Sequence, residues 1–305
     1  MDLEHIFDEL EIATDPFALC ELRGSCDLGL GRDPQATLHY ILSGQGEITL
    51  KGRAPVQVAE GSLVLIPAMH SHALRSFGYT TEPLPDCKPA ALNLARLLKQ
   101  SDRESGAQLT ALCSHVQVGL RGLADIIDLI REPLIECVSD HSKMRPALSA
   151  MIQELAHPGL GSRAMIRTLL TQCMIEMLRT RLSVRDSALH WMAALTDPSI
   201  WNALSKMIDE PGAPHSIESL AESVGMSRSA FAKRFANAYG SGPMELLRDL
   251  RMRQASRLLA TTDLPVKRIA SLMGFASRSA FTRRFEAITG QSPSGFRASV
   301  ATLPS

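Results

Sequence analysis

The sequence has no run of eighteen consecutive apolar residues, the length at which a segment becomes a candidate membrane-spanning helix. We therefore expect no membrane span. Residues 1–12 are acidic and carry apolar residues at helical spacing, which is unlike the basic and apolar pattern of a secretory signal. These two absences predict a cytoplasmic protein.

The sequence also has no Cys-x-x-Cys pair and no Cys/His cluster at zinc-binding spacing. Its six cysteines are scattered, and in a reducing cytosol we expect free thiols. Cys113, Cys137 and Cys173 lie in or near apolar helical patterns, so we interpret them as small core residues. We expect no bound metal and no other cofactor.

The chain has no excess of basic or acidic side chains overall, but the two kinds are unevenly distributed along it. From Asp197 to the end there are 14 basic and 9 acidic side chains, whereas the preceding 196 residues hold 18 basic and 23 acidic ones. A basic C-terminal part joined to an acidic body is typical of a protein that contacts nucleic acid at one end only.

The chain of 305 residues is too long for one compact core. Residues 36–78 contain short apolar runs separated by glycine-rich turns, which predicts a small β-sandwich or β-barrel. Residues 79–105 are polar with one expected helical turn, Ala90 to Lys99, and residues 119–184 have a helical pattern. We predict an α+β protein with a β-rich sensory domain at 1–105, a helical linker or dimerisation region at 106–190 and an all-α domain at 197–300.

The helical middle segment carries an apolar stripe that includes Ile166, Leu170, Met174 and Met177. Such a stripe forms either an intramolecular core or the contact between two copies of a chain. Both interpretations stay open, and the second predicts a homodimer.

The last hundred residues contain one motif twice. The sequence from Ile217 to Phe235 returns from Val266 to Phe285, with an offset of 49 residues up to the turn glycines Gly225 and Gly274 and of 50 after them. Each copy predicts two helices joined by a glycine turn, and Ser227 and Ser277 are expected to cap the second helices. Two such helix-turn-helix units predict binding to two stretches of one DNA groove.

Phenylalanines spaced four apart should turn one face of each second helix toward the core. The residues left exposed are candidates for contacts with bases or phosphates: Arg228, Ser229 and Lys233 in the first copy, and Arg278, Ser279, Thr282 and Arg283 in the second. Between the copies, Pro243 to Thr261 predicts a helix roughly 28 Å long, close to the ~34 Å between successive major-groove segments. Its arginines are expected to neutralise phosphates.

These residues resemble the AraC/XylS family of bacterial transcription regulators over about Pro198 to Arg297. The elements that carry the resemblance are Leu220-Ala221-x-x-x-Gly225-Met226-Ser227, Gly240-x-x-Pro243, Arg251 with Ala255, Ile269-Ala270-x-x-x-Gly274-Phe275, and Phe285, Gly290, Pro293 and Phe296. The resemblance implies a two-part DNA-binding domain, promoter DNA and RNA polymerase as partners, and activation of transcription. Arg234 and Arg284 depart from the family pattern, and we expect them to reach phosphates.

The N-terminal segment resembles the cupin-type sensory domains of such regulators. His39, Gly44 and Gly46 resemble the first cupin motif, and Gly61, Pro67 and His72 resemble the second. The metal set of cupin enzymes is incomplete, because no His-x-His is present and Met69 replaces a usual glycine. Two interpretations of the histidines stay open. Either His70 and His72 join His39 around a metal, or the histidines are hydrogen-bonded within the protein and hold no metal.

We therefore predict a DNA-binding regulator that responds to a small-molecule inducer or to oxidants; the alternative is a metal-dependent cupin enzyme with an accessory DNA-binding module. The expected sensory residues are Cys20, Cys26, Cys87, His39 and His72. In the oxidant hypothesis Cys20 or Cys26 is exposed and reacts first, and Cys87 is the resolving partner.

Overall fold

The computed structural model describes residues 3–77, 90–91, 107–120, 126–137, 142–184, 189 and 191–301. The chain divides into two compact units. The sheet unit comprises residues 12–117 and 132–184, and the helical unit comprises residues 1–11, 118–131 and 185–304. Within the described residues no helix is long and apolar enough to cross a membrane.

The sheet unit is a sandwich-like arrangement of antiparallel strands. The strands are β1 (Leu10–Arg23), β2 (Asp27–Gly31), β3 (Ala36–Leu50), β4 (Val56–Ala59), β5 (Ser62–Ile66), β6 (His72–Ser76), β7 (Ala90–Ala91), β8 (Ala107–Leu120) and β9 (Leu134–Cys137). Their hydrogen-bonded order is β2-β6-β3-β8-β1-β7, with β4 and β5 also on β3 and β9 on β5. The prediction of a β-rich N-terminal domain is confirmed, in the form of a sandwich.

The long strand β3 belongs to both layers of this sandwich. Its first half, Thr37 to Tyr40, pairs with β5 and β8, whereas its second half, Gly46 to Ile48, pairs with β4 and β6. The change follows a register shift after Ile41. Gly46 is required there, because a Cβ atom at this position would lie 2.3 Å from the carbonyl oxygen of Arg75.

The middle of the chain differs from the helical segment that the sequence predicted. Residues 107–120 form β8, residues 134–137 form β9, and Ala90–Ala91 pairs with Ala18 and Leu19 instead of opening a helical turn. Short apolar runs do not distinguish strands from helices by periodicity, and pairing with distant strands decides here. Residues 92–99 lie outside the described part of the chain.

The helices of the sheet unit are α2 (Arg145–Ala156) and α3 (Ser162–Ser183), which pack on each other. The apolar stripe of α3 is mostly intramolecular core, because Ile166, Leu170, Met174 and Met177 are fully buried. Met165, next to Ile166 on the same helix, is half exposed.

The helical unit contains the repeated motif. Its helices are α1 (Leu3–Asp8), α4 (Met192–Thr196), α5 (Pro198–Asp209), α6 (Ile217–Ser223), α7 (Arg228–Tyr239), α8 (Pro243–Thr261), α9 (Val266–Leu272), α10 (Arg278–Thr289) and α11 (Pro293–Ala301), with a short 3-10 helix at Ile126–Leu129. The two helix-turn-helix units are α6–α7 and α9–α10, and α8 joins them.

Candidate nucleic-acid interface and sensory site

The first helix-turn-helix is held by local hydrogen bonds that the sequence predicted. Gly225 has a left-handed φ of 67°, which glycine adopts without a steric penalty. The Ser227 hydroxyl accepts a hydrogen bond from the amide of Ala230 and so caps α7. On α7, Phe231 and Phe235 are fully buried, and this fixes the opposite face toward solvent.

The second helix-turn-helix repeats these features. Gly274 has φ 74°, and Ser277 caps α10 by accepting from the amide of Ala280. Phe281 and Phe285 are fully buried and pack at ring-centroid distances of 5.6 Å. The same face of α10 as of α7 is therefore left to solvent.

The structure leaves the sequence-predicted DNA-contact residues accessible. Five are exposed and one is half-buried, while the seventh, Arg228, is exposed but ion-paired within its own repeat. The exposed five are Ser229, Lys233, Arg278, Ser279 and Arg283, and the half-buried one is Thr282. A row of basic and hydroxyl side chains on each second helix suits contacts with phosphates and base edges.

Arg228 donates a hydrogen bond from Nη1 to Oε1 of Glu218 on α6 at 2.6 Å. The Arg228 guanidinium lowers the pKa of the Glu218 carboxyl, which therefore stays ionised at neutral pH. In the second repeat the position of Glu218 is occupied by Lys267, by the 49-residue offset. The two repeats thus differ in charge beside the recognition helix, a difference that aligning the two copies of the sequence would have shown.

Two arginines of α8 are not available to phosphates, contrary to expectation. Arg251 donates from Nε to the carbonyl oxygen of Pro211 at 2.7 Å and from Nη2 to that of Ala213 at 2.9 Å. Arg253 is buried, and its Nη2 lies 3.5 Å from the carbonyl oxygen of Ile130. These two side chains stabilise the helical unit, whereas Arg248 is exposed on the same helix.

Arg234 is also engaged within the chain instead of extending toward phosphates. Its Nε and Nη2 donate to both carboxylate oxygens of Asp197, at 2.6 and 3.0 Å. Asp197 accepts from the amides of Ser199 and Ile200 as well, so it caps α5. The Arg234 guanidinium and these amides together outweigh the effect of burial and hold the pKa of this carboxyl below its usual value.

Two of the three predicted sensory cysteines, Cys20 and Cys26, are not exposed thiols. Cys20 and Cys26 are buried, and Cys26 is disulfide-bonded. Cys87 lies outside the described residues, so its role as a resolving partner stays a prediction. Cys137, which we interpreted as a core residue, is exposed.

The predicted sensory histidines lie together between the two layers of the sheet unit. Nε2 of His39 is 2.8 Å from Nε2 of His72, and both side chains are buried. His70 is outside this pair: its Nδ1 lies 3.1 Å from the carbonyl oxygen of Ala68. Among the described residues no group of three or more His, Cys, Asp and Glu side chains is arranged to hold a metal ion.

The backbone conformation at Met69 is one that glycine adopts more easily than other residues, and glycine is the usual residue of the second cupin motif at this position. Met69 adopts φ 67°, in the left-handed region that favours glycine, and its amide donates to the carbonyl oxygen of Asp33 at 2.7 Å.

A cleft of about 520 Å³ lies in the sheet unit between β1, β8 and α3. Its polar lining includes Thr14, Asp15, Gln35, His115, Gln117 and Arg167. Arg167 is paired with Asp15 at 2.7 Å, and His115 with Asp33 at 2.8 Å. The space between the sheets is filled by buried apolar side chains together with His39 and His72, so this surface cleft is the candidate for a small-molecule site.

Comparison with known proteins agrees with this geometry. Residues 2–183 match the cupin family model, and residues 220–299 match a helix-turn-helix domain model. The HTH-type transcriptional regulator AlkR of Acinetobacter baylyi is 25% identical over 307 residues, which is 97% of this chain and 98% of AlkR. An AraC-like transcription regulator of Streptomyces antibioticus is 32% identical over half of each chain.

The chain belongs to the AraC-like transcription regulators with an N-terminal cupin domain. As such it is a DNA-binding transcription regulator, and its DNA-binding part is the helical unit from α6 to α11. The crystal structure of ToxT from Vibrio cholerae has the same fold, with a TM-score of 0.50 and 11% identity, covering 95% of this chain and 98% of ToxT.

Proposed function

We propose that this AraC-like regulator activates transcription by placing α7 and α10 in two successive major-groove segments of promoter DNA. The observation that carries the proposal is the pair of capped helices with exposed basic faces, joined by the 19-residue helix α8. At 1.5 Å per residue α8 is roughly 28 Å long, which suits a spacing of about one DNA turn. Arg228, Ser229 and Lys233 then serve one segment, and Arg278, Ser279, Thr282 and Arg283 the other.

The test begins with selection of duplexes from a random pool by the full-length protein. Footprinting on the selected sequence should then show two protected segments. The Arg228→Ala/Arg278→Ala double variant should lose both, because arginine is the side chain best suited to read guanine bidentately. Arg179→Ala is the matched control, since it removes one exposed arginine from α3 in the sheet unit. A footprint unchanged in the double variant contradicts the assignment.

We further propose that the protein acts in the cytoplasm as a homodimer and recruits RNA polymerase. Three apolar side chains of the α2–α3 hairpin support dimerisation, because Ile152, Leu160 and Met165 are exposed to 36%, 109% and 51%. Sedimentation should give the mass of two chains for the wild type and of one for Leu160→Asp/Met165→Lys. A monomeric wild type, or a dimeric variant, contradicts this face.

The signal is proposed to enter through the sheet unit, as a small molecule in the polar cleft or as an oxidant at its cysteines. The cleft is lined by an arginine, an imidazole, two side-chain amides and the carboxylate of Asp15, and this mixture of donors and acceptors suits a polar ligand. Arg167→Ala should abolish such a response and leave basal DNA binding intact. An undiminished response in that variant excludes the cleft.

The enzyme alternative is tested by metal analysis. We propose that the chain is a regulator without catalytic activity, which is supported by the regulators it resembles and by the incomplete cupin metal set. Stoichiometric metal in the purified protein, together with turnover that is lost on chelation, would establish the enzyme instead.

A further inference from the structure

Two thiols and two imidazoles meet in the interior of the sheet unit. Cys113 on β8 is the Cα partner of His39 on β3, and its Sγ lies 3.3 Å from Nδ1 of His39. Sγ of Cys20, on the neighbouring strand β1, lies 2.8 Å from Sγ of Cys113. Nε2 of His39 lies 2.8 Å from Nε2 of His72 on β6. All four side chains are buried, so the cluster is part of the core.

The hydrogen bonds of this cluster fix where its protons are. Nδ1 of His72 lies 3.1 Å from the carbonyl oxygen of His70, which can only accept, so the proton of neutral His72 is on Nδ1. Nε2 of His72 then accepts from Nε2–H of His39, and Nδ1 of His39 is left as an acceptor. The Cys113 thiol is the donor within reach of this nitrogen, at 3.3 Å. Sγ of Cys20 at 2.8 Å is the other acceptor beside Cys113, and the carbonyl oxygen of Ala111 is farther away at 3.9 Å.

The electrostatics of the cluster agree with this neutral arrangement. Burial, followed by the neighbouring His72, lowers the pKa of His39 well below its usual value, and burial lowers the pKa of His72. Burial, with the hydrogen bond to Cys20, raises the pKa of Cys113 well above its usual value. The thiol of Cys113 is therefore protonated at neutral pH and needs a base in contact with it to become a nucleophile.

We propose that Cys20 and Cys113 are an oxidisable thiol pair in which His39 accepts the proton of Cys113, and that a small uncharged peroxide converts the pair to a disulfide. Cys113 is the attacking thiol because it contacts His39, and Cys20 is the resolving thiol because it contacts Cys113. This assignment deepens the proposed sensory function and rests on it for its effect on transcription.

The reaction balances with one hydrogen peroxide. The Cys113 proton passes to Nδ1 of His39 as Sγ attacks a peroxide oxygen, an S–O bond forms and the O–O bond breaks. The leaving hydroxide takes the proton from His39 and becomes water, which leaves a sulfenic acid on Cys113. Sγ of Cys20 then attacks Sγ of Cys113, and the displaced hydroxide takes the Cys20 proton. Two thiols have lost two electrons, and the peroxide has become two water molecules.

Little movement is needed for this closure. A disulfide brings two sulfur atoms to about 2.05 Å, so the pair at 2.8 Å closes by less than about 1 Å. A single metal ion is the competing use of these groups. It fits less well, because His39 directs one ring nitrogen to Cys113 and the other to His72, and one ion cannot use both nitrogens of a ring.

The experiment treats reduced full-length protein with hydrogen peroxide, blocks the remaining thiols after denaturation and maps tryptic peptides. Cys20 lies in the peptide of residues 1–23 and Cys113 in that of residues 104–121, so their disulfide gives one specific cross-linked product. We expect this product in the wild type and in Cys173→Ala, the matched control for a buried free thiol. It should be absent in Cys113→Ala.

The role of His39 is tested by rate. Loss of a general base costs about 10²-fold or more, so His39→Asn should slow formation of the product by that factor without preventing it. If that variant does not fold, His72→Gln is used, and a slower reaction is expected again because the hydrogen-bond chain is interrupted. Rates equal to wild type in the folded variant contradict the role of His39.

Two further outcomes overturn the thiol pair itself. One is a product that joins residues 1–23 to a peptide other than 104–121, and the other is stoichiometric zinc or copper that protects both thiols from peroxide.

DNA binding is measured on the same samples. Failure of the reduced protein to bind any DNA refutes the proposed function, whereas formation of the disulfide without a change in DNA affinity removes only its regulatory effect.

Discussion

The ion pair between Arg228 and Glu218 predicts that the two recognition helices contribute unequally to DNA binding. An arginine that reads a base is worth about 1–3 kcal/mol, and replacement of Arg278 by alanine should therefore weaken binding about fivefold to 150-fold. Arg228→Ala should cost less. Its guanidinium must leave Glu218, 2.6 Å away, before it contacts a base. The lost ion pair offsets part of the free energy gained from the contact with the base.

The assay is a double-mutant cycle on the selected DNA at constant salt. In the Glu218→Gln background Arg228 is free of its carboxylate, so Arg228→Ala should become as costly as Arg278→Ala. Glu218→Gln alone should tighten binding, because it removes a negative charge near phosphates and releases Arg228. Lys267→Gln, at the equivalent position of the second repeat, is the matched control and should weaken binding. Equal effects of the two arginines in the wild-type background, with no coupling to Glu218, would refute this reasoning.

Three other predictions follow from the structure. Binding should fall about 10³-fold between 50 and 200 mM salt if about six phosphates are contacted. Replacement of the exposed Arg248 of α8 by alanine should make the slope of log affinity against log salt shallower by about one, and a slope near zero in the wild type contradicts phosphate contacts. The sheet unit should lose stability as the pH falls below the unfolded-state histidine pKa of about 6.5, by up to about 1.4 kcal/mol per pH unit for each of His39 and His72. The lowered pKa of each histidine keeps its side chain neutral in the folded protein while the unfolded chain gains protons. Urea denaturation should therefore give a smaller free energy of unfolding at pH 5.5 than at pH 7, and His39→Asn should reduce this difference. Gly46→Ala should destabilise the sheet unit by about 1–3 kcal/mol because its Cβ would clash with the carbonyl oxygen of Arg75. Gly29→Ala is the control, since a Cβ atom there would meet no atom within 4 Å. Equal melting temperatures of the two variants would show that the backbone at Gly46 moves to relieve the clash.

The helix-turn-helix units could be predicted because their determinants are local. Ser227 and Ser277 cap the helices that begin at the next residue by accepting from amides three residues downstream, and Gly225 and Gly274 set turns by their own φ angles. The phenylalanines spaced four apart show which face of α7 and α10 is buried. Local chemistry and the repeat together determine these elements, so no distant contact was needed to find them.

The sheet unit was predicted only in part, because its pairings join distant residues. Strands β1 and β8 were not predicted, and their contact places Cys20 beside Cys113, 93 positions away. The prediction that Cys20 is exposed was wrong for the same reason, since the strand that covers it was not predicted. Composition shows that a thiol is present but not which strand covers it.

The arginine contacts show the same limit within the helical unit. Arg234 pairs with Asp197 across 37 positions, and Arg251 donates to carbonyl oxygens about 40 positions away. A basic residue on a helix near DNA is expected to bind phosphate unless another acceptor is within reach, and only the fold shows that acceptor. The exposed set that remains is therefore smaller than the set counted from the sequence.

Hydroxyl-radical footprinting of the full-length protein on its selected DNA tests the central claim most directly. The account predicts two protected segments on one face of the duplex, with centres about 10–10.5 base pairs apart. Substitution of Arg278 should weaken one segment, and substitution of Arg228 in the Glu218→Gln background the other. A single protected segment, or two segments that neither substitution affects, would contradict reading of DNA by both recognition helices.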